Sequence, residues 1–187
     1  MSIELSWDLF IIVFFVVIIS YSFIIGRVQT SKIILSSYLS LFAADAIGNY
    51  FEIFLAQASP VINIFDVTNP EYSTMIVKMT VFIAGMVLFA VKGAFEVYLP
   101  EEKPVIEFSL TLYFGFLSAA IIISGILVYI SGGSFLHAGK DMTLFFQENI
   151  YSQSYLVQFM ILNKNLWFLV PVLSFLGLSF IRPVDAD

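Results

Sequence analysis

Long apolar runs, separated by short polar breaks, dominate this chain. Four of the runs approach the roughly 20 residues that a helix needs to cross about 30 Å of hydrocarbon. They cover residues 9–25, 33–53, 75–97 and 106–130. The pattern therefore predicts an all-α fold, a polytopic membrane helical bundle that occupies the whole chain as a single integral membrane domain, 1–187.

A fifth apolar run, residues 166–181, is shorter and contains Pro171. As a helix it would extend about 24 Å, less than the hydrocarbon thickness. Two alternatives stay open for it: a short span that thins the bilayer, or a re-entrant or interfacial segment. The bundle is thus predicted to have four to five spans.

The connections between the runs are more polar. Residues 142–162 mix apolar side chains with amide and acidic ones at helical spacing, so we expect an interfacial amphipathic helix there. Residues 58–74 contain Ser59-Pro60 and Asn69-Pro70, which are turn signals, and predict a loop at a water interface.

Composition supports the membrane class. The chain is 60% hydrophobic and 12% charged, with a mean hydropathy of +0.97, against roughly 45 to 50% and about 25% in soluble domains. The net charge of -6 and the scattered Lys and Arg residues exclude a nucleic-acid surface. The absence of cysteine excludes a thiol nucleophile and an iron–sulfur cluster.

Basic residues set the expected orientation. Arg27 and Lys32 follow the first run, whereas the residues before it include no Lys or Arg. Because basic loops stay on the cytoplasmic side, we expect the N-terminus outside and a location in the cytoplasmic (inner) membrane.

A carboxylate interrupts the second run. Asp45 has six uncharged residues on either side, and helical spacing places Ser37, Asp45, Asn49 and Glu52 on one polar stripe. Polar groups that face lipid lack hydrogen-bond partners, so this stripe should face other helices or water.

The expected depths of Asp45 and Glu52 in the membrane suggest which residues lie beside them. Lys78 lies near the start of the third run, at the expected height of Glu52, so a Glu52–Lys78 ion pair is predicted. Asp45 should then lie level with Gly85, without a lysine nearby. Two interpretations of Asp45 remain: an ion or proton site, or a hydrogen-bonded carboxyl group that holds helices together.

Catalytic chemistry finds little support. His137 is the single histidine and no zinc-binding spacing is present. Ser134 and His137 lack the surroundings of a nucleophile elbow, and Gly132-Gly133 more simply ends a helix. We expect neither enzymatic activity, nor a metal, nor a cofactor.

The N-terminal third carries a family resemblance. The stretch SWDLFIIVFFVVIISYSFIIGRVQTSKIILSSYLSLFAADAIGNYF has Asp8 at the entry to the first run, a turn at Gly26-Arg27 and a second run with small and polar residues. It is similar to the opening of the colicin V production protein (CvpA-like) family. The resemblance implies a small bacterial inner-membrane protein linked to export or envelope homeostasis, without an established catalytic mechanism.

The sequence is therefore compatible with three functions. The first is a non-enzymatic inner-membrane protein of the CvpA-like kind. The second is a small oligomeric ion or proton channel or transporter that uses the polar stripe of the second run. The third is a structural subunit of a larger membrane assembly. The expected partners are the lipid bilayer and either further copies of the chain or another membrane protein, and no nucleic acid.

Overall fold

A computed structural model of the protein describes residues 6–57, 70–93, 97, 104–135 and 142–181. All regular structure within these residues is helical, which confirms the all-α prediction. The helices are α1 (Trp7–Gln57), α2 (Pro70–Lys92), α3 (Pro104–Ile130), α4 (Leu144–Phe146), α5 (Tyr155–Leu162) and α6 (Lys164–Ile181), and a π-helical turn, Gln147–Tyr151, follows α4.

Helix α1 is broken at one residue, Gly26. Its φ of 79° and ψ of 165° lie outside the helical region, in a part of conformational space that is essentially restricted to glycine. We name residues 7–25 the N-arm and residues 27–57 the C-arm. The short polar break between the first two runs is helical from residue 27 onward, so it belongs to the C-arm.

The two arms run in opposite directions along α3. On the N-arm, the ring of Phe23 stacks near Phe108 of α3, with ring centroids 4.9 Å apart, and Ile11 packs much further along α3. On the C-arm, Ile34 packs near the first half of α3 and Leu41 near its second half. The chain therefore reverses direction at Gly26.

Helix α2 packs antiparallel to the C-arm. A Cβ atom at Gly85 would lie 3.0 Å from the Ser40 hydroxyl, and one at Gly48 would overlap the side chain of Lys78. The helix begins at Pro70 and ends at Lys92, so it starts and stops about five residues earlier than the predicted run 75–97. Residues 58–69 of the predicted loop lie outside the described residues.

Helix α3 forms the centre of the bundle and covers the predicted run 106–130. Most of its residues from Phe114 to Tyr129 are buried, and three apolar clusters surround it. The helix ends at Ile130, and Gly132, with a φ of 81°, follows two residues later and turns the chain, as the sequence suggested.

The segment 142–162 does not form the expected single helix. It divides into α4, the π-helical turn and α5, and Val157 and Met160 of α5 are buried against Ile11 and α3. One set of apolar positions therefore packs against protein, whereas Leu144, Tyr155 and Leu162 stay exposed.

Helices α5 and α6 meet at a bend of 60°. Helix α5 begins beside the start of the N-arm, where Ser154 contacts Asp8, whereas Phe175 of α6 stacks on Phe114 in the first half of α3. The pair therefore continues in one direction through the bend, antiparallel to α3.

Several helices suit a membrane protein. Within the described ranges, Trp7–Leu55, Tyr72–Lys92 and Pro104–Ile130 are each long and apolar enough to cross a bilayer. The bent pair of Tyr155–Leu162 and Lys164–Leu178 meets the same criteria when taken as one segment.

Candidate functional site

Asp45 is the most deeply buried carboxylate of the site, with no exposed surface. Its Oδ1 atom lies 3.5 Å from Nζ of Lys78, and the Lys78 side chain is only 4% exposed. Its Oδ2 atom accepts a hydrogen bond of 2.6 Å from the backbone N–H of Phe135. The carboxylate therefore links the C-arm, α2 and the segment that follows α3.

The absence of a side chain at Gly48 permits this ion pair. A Cβ atom there would lie 2.3 Å from Cγ and 2.7 Å from Cε of Lys78, distances far below van der Waals contact. The methylene chain of Lys78 thus crosses the C-arm over Gly48 and carries its ammonium group to Asp45, three residues earlier on the C-arm.

The expectation that Asp45 has no lysine partner is wrong. Gly85 faces Ser40, not Asp45, and Lys78 faces Gly48. The two helices are shifted by about four residues, one helical turn or about 6 Å, relative to the predicted register. The hydrophobic pattern does not determine this register. Gly48, which leaves room for the lysine side chain, lies on the facing helix.

Aromatic groups close the site on the side of α3. The Tyr129 hydroxyl donates a hydrogen bond of 2.9 Å to the backbone oxygen of Leu41. The ring of Phe135 packs edge-on against Tyr129 and against Phe168 of α6, at centroid distances of 5.8 and 4.5 Å. Since these rings exclude water, the charges interact more strongly than they would at a surface.

The end of α3 positions the Phe135 N–H. The N–H of Gly132 bonds to the oxygen of Tyr129 at 3.0 Å, and that of Gly133 bonds to the oxygen of Val128 at 2.9 Å. These bonds close the last turn of the helix and direct the chain toward the C-arm. Phe135, in the described part of this segment, thereby lies where its backbone N–H can donate to Asp45.

A second carboxylate anchors the chain at the same end of the bundle. Asp8 accepts hydrogen bonds from the Ser154 hydroxyl at 2.6 Å and from the Leu156 N–H at 2.9 Å. Ser154 is itself the N-cap of α5 and accepts from the Val157 N–H. Asp8 therefore completes the cap of this helix.

Asp8 and Asp45 lie at similar heights. Asp8 precedes Gly26 by 18 residues and Asp45 follows it by 19, which corresponds to about 27 and 29 Å of helix. Because the chain reverses at Gly26, both carboxylates reach the same end of the bundle. We call Asp8, Asp45, Lys78 and Ser154 the polar layer.

The remaining candidate residues are dispersed. Ser37 is fully buried and its hydroxyl donates to the Ile33 oxygen at 2.8 Å, whereas Asn49 and Glu52 are half-buried. The Glu52–Lys78 pair stays a prediction. The predicted polar stripe thus enters the protein interior at Ser37 and Asp45 and emerges further along the C-arm.

The family-like positions Gly26 and Arg27 lie at the opposite end, where Arg27 is only 6% exposed. The hydroxyls of Thr30 and Ser31, one turn further on, bond to the oxygens of Gly26 and Arg27, each at 2.9 Å. These bonds attach polar side chains to the first turn of the C-arm directly after the break.

Among the described residues, no group of three or more His, Cys, Asp or Glu side chains could hold a metal ion. His137 lies outside these residues. The arrangement at Asp45 offers instead a paired acid and base, which can stabilise a helix interface or exchange a proton.

Comparisons with known proteins add no relative. No family model, no curated protein and no solved structure matches this chain.

Proposed function

We propose that this protein is an integral membrane protein with five crossings: the N-arm, the C-arm, α2, α3 and the α5–α6 pair. Two observations support this count. The chain reverses at Gly26, and it keeps one direction through the bend between α5 and α6. The N-arm is about 28 Å long, close to the thickness of the hydrocarbon layer.

Exposed polar residues support a placement of the membrane. Gln29 and Glu107 are exposed near the Gly26 end, and Glu148, Asn149 and Gln153 are exposed near the Asp8 end. Because such groups are unfavourable in hydrocarbon, we put the two membrane boundaries at these levels. The polar layer then lies at one boundary, and the basic Gly26 end faces the cytoplasm.

Within this topology, the protein acts as a non-enzymatic component of a bacterial inner membrane. The observation that carries this proposal is the enclosed Asp45–Lys78 pair, in which each charge has the other as its partner and Asp45 also accepts a backbone N–H. A buried pair of this kind fixes the arrangement of helices. The resemblance to the CvpA-like family links such a protein to export or envelope homeostasis.

Two of the family-like positions, Asp8 and Gly26, have structural roles in the bundle. Asp8 anchors α5, and Gly26 forms the reversal between the two arms. Both tasks concern the assembly of the bundle, which supports a role as a membrane scaffold.

A proton or ion channel is the second candidate. Two observations favour it: an ionisable pair inside a helical bundle, and the hydroxyls of Ser36 and Ser40 on the C-arm, which are buried and have no hydrogen-bond partner within the described part of the chain. Buried polar groups of this kind can hold water molecules. A water-connected Asp45 would serve as a coupling or conduction residue.

Flux measurements in liposomes distinguish the two candidates. Purified native protein is compared with Asp45→Asn at matched folding and oligomeric state, and Glu107→Gln serves as a control that changes the same charge at an exposed position. The scaffold proposal expects no proton or cation flux above that of empty liposomes from any of the three. Flux that persists in Glu107→Gln and disappears in Asp45→Asn would refute the scaffold and establish the channel.

A further inference from the structure

The helices carry their apolar bands at different levels along the bundle, where the apolar band of a helix is its stretch without an exposed charge. On the N-arm the band runs from Asp8 to the break at Gly26, and its middle lies about 14 Å from that break. On the C-arm the band runs from Lys32 to Glu52, since Asp45 between them is fully buried, and its middle lies about 24 Å from the break. Both bands measure about 27 to 30 Å, close to the hydrocarbon thickness, yet the second lies about 10 Å further along the bundle.

Helix α2 continues this trend. Its contacts at Gly48 and Gly85 fix its register with the C-arm. The band of α2 runs from Tyr72 to Val91, because Lys78 within it is buried. In this register the middle of the band lies about 27 Å from the level of the break. The band of α2 is thus shifted by about 13 Å relative to that of the N-arm.

Helix α3 lies between these extremes. A Cβ atom at Gly115 would lie 3.3 Å from Cα of Ile19 on the N-arm, which fixes the register of these two helices. The band of α3, from Glu107 to Ile130, then has its middle about 16 Å from the level of the break. The levels therefore rise from the N-arm through α3 and the C-arm to α2. This is also the spatial order of the helices, because α3 contacts both arms and α2 packs mainly on the C-arm.

An upright membrane layer conflicts with both ends of the pair formed by the C-arm and α2. At the inner end, Lys92 is exposed and lies level with Ile33, about 11 Å beyond the break. An upright layer that covers the N-arm would hold this charge within hydrocarbon. At the outer end, the same layer would leave Tyr50 and Ile76, which are 79% and 59% exposed, in water. An oblique layer removes both conflicts.

We infer that the bundle lies obliquely in the bilayer, so that lipid tails cover the outer part of the C-arm and of α2. Residues 33–51 and 72–91 present no exposed charge, which fits lipid as the partner of these surfaces. The bands rise by about 13 Å over two or three helix contacts of about 9 Å each, which corresponds to an inclination of about 25 to 35°. Such tilts occur among membrane helices, and an inclined band of about 28 Å also requires a slightly thinner bilayer around the protein.

The inclination changes the depth of the buried ion pair. The outer boundary stays at the level of Asp8 on the N-arm but rises toward α2. Asp45 and Lys78 therefore lie below this boundary, near the middle of the α2 band rather than at the membrane surface. The inference rests on the five crossings proposed above but not on a scaffold or a channel role.

Single nitroxide labels measure the inclination, because the native chain has no cysteine that would react with them. Ile76→Cys and Val91→Cys place a label toward either end of the α2 band, and Val16→Cys places one in the middle of the N-arm band. The native side chains are 59%, 71% and 57% exposed, so the labels should leave the packing intact. Each labelled variant is reconstituted into liposomes of phosphatidylcholine and phosphatidylglycerol. The collision rate of the label with oxygen, which concentrates in hydrocarbon, is compared with its collision rate with a water-soluble nickel chelate.

We expect the ratio of oxygen to nickel collisions to be highest at position 16, intermediate at position 76 and lowest at position 91. The oblique placement puts Ile76 about 6 Å inside the outer boundary and Val91 at the inner boundary. An upright placement puts Val91 about as deep as Val16 and leaves Ile76 in water, so a label at position 91 at least as deep as the one at position 76 would overturn the inference. A label at position 16 that collides mainly with nickel would refute the crossing of the N-arm itself, and the inference with it.

Discussion

The Asp45–Lys78 pair makes a quantitative prediction about coupling. We would replace the lysine by methionine, which keeps most of the apolar stem, and the aspartate by asparagine, which keeps an oxygen for the Phe135 N–H. The two single variants and the double variant complete a double-mutant cycle. Lys92→Met, at an exposed position of the same helix, controls for loss of charge alone.

The magnitude follows from the geometry. Opposite unit charges 3.5 Å apart attract by about 5 kcal/mol at an effective dielectric constant of about 20. Loss of one partner leaves the other charge buried, so each single variant should lose about 3 to 5 kcal/mol in the free energy of unfolding. The double variant removes both charges and should be more stable than the sum of the two losses predicts, with a coupling energy of at least about 2 kcal/mol.

The free energy of unfolding of all five proteins, including the native one, is measured by reversible unfolding in mixed detergent micelles. The fluorescence of Trp7 and Trp167 reports the transition. The Lys92→Met control should change stability by less than about 0.5 kcal/mol. If the two losses add to within about 0.5 kcal/mol, the charges do not interact in the bilayer-like environment, and the reasoning that makes Asp45 a structural anchor would be refuted.

Two further predictions concern the backbone break and the second anchor. Gly26→Ala should lower stability by about 1 to 3 kcal/mol, because alanine is strained at this φ and ψ. Gly177→Ala, in a regular helix with open space around it, should be neutral or stabilising. Equal effects of the two substitutions in thermal unfolding would contradict the conclusion that Gly26 is needed for its backbone conformation. Asp8→Asn should weaken the cap of α5 by about 1 kcal/mol. The hydrogen-exchange rate of the Leu156 amide should rise while that of the Phe135 amide stays constant. A uniform rise in exchange across the bundle would argue against a local role of Asp8.

The sequence predicted the class of fold and the approximate apolar segments, because these depend on hydrophobicity alone. It placed the turn at Gly26-Arg27, which is where the helix breaks. It did not predict that residues 27–32 are helical, since short polar stretches between apolar runs also occur as loops. In this chain a single glycine conformation is sufficient to reverse the direction.

The site was harder to predict than the fold. Asp45 stood out as a carboxylate within an apolar run, but its partner depended on the register between the C-arm and α2. A shift of one helical turn brings Asp45 to Lys78, and hydrophobicity does not distinguish the two registers. The informative signal was Gly48, where a missing side chain leaves room for the lysine, and this signal is recognisable only once the facing helix is known.

The central position of α3 has a consequence for the order of assembly. Ile11, Ile34 and Leu41 all pack against α3, yet the ribosome completes this helix 73 residues after the C-arm ends at residue 57. At a synthesis rate of about 5 to 20 residues per second, the two arms wait roughly 4 to 15 s before this shared neighbour exists. During this interval lipid must cover the surfaces that α3 later occupies. Assembly of the bundle therefore includes the displacement of lipid by a helix that is made third among the long helices but lies at the centre.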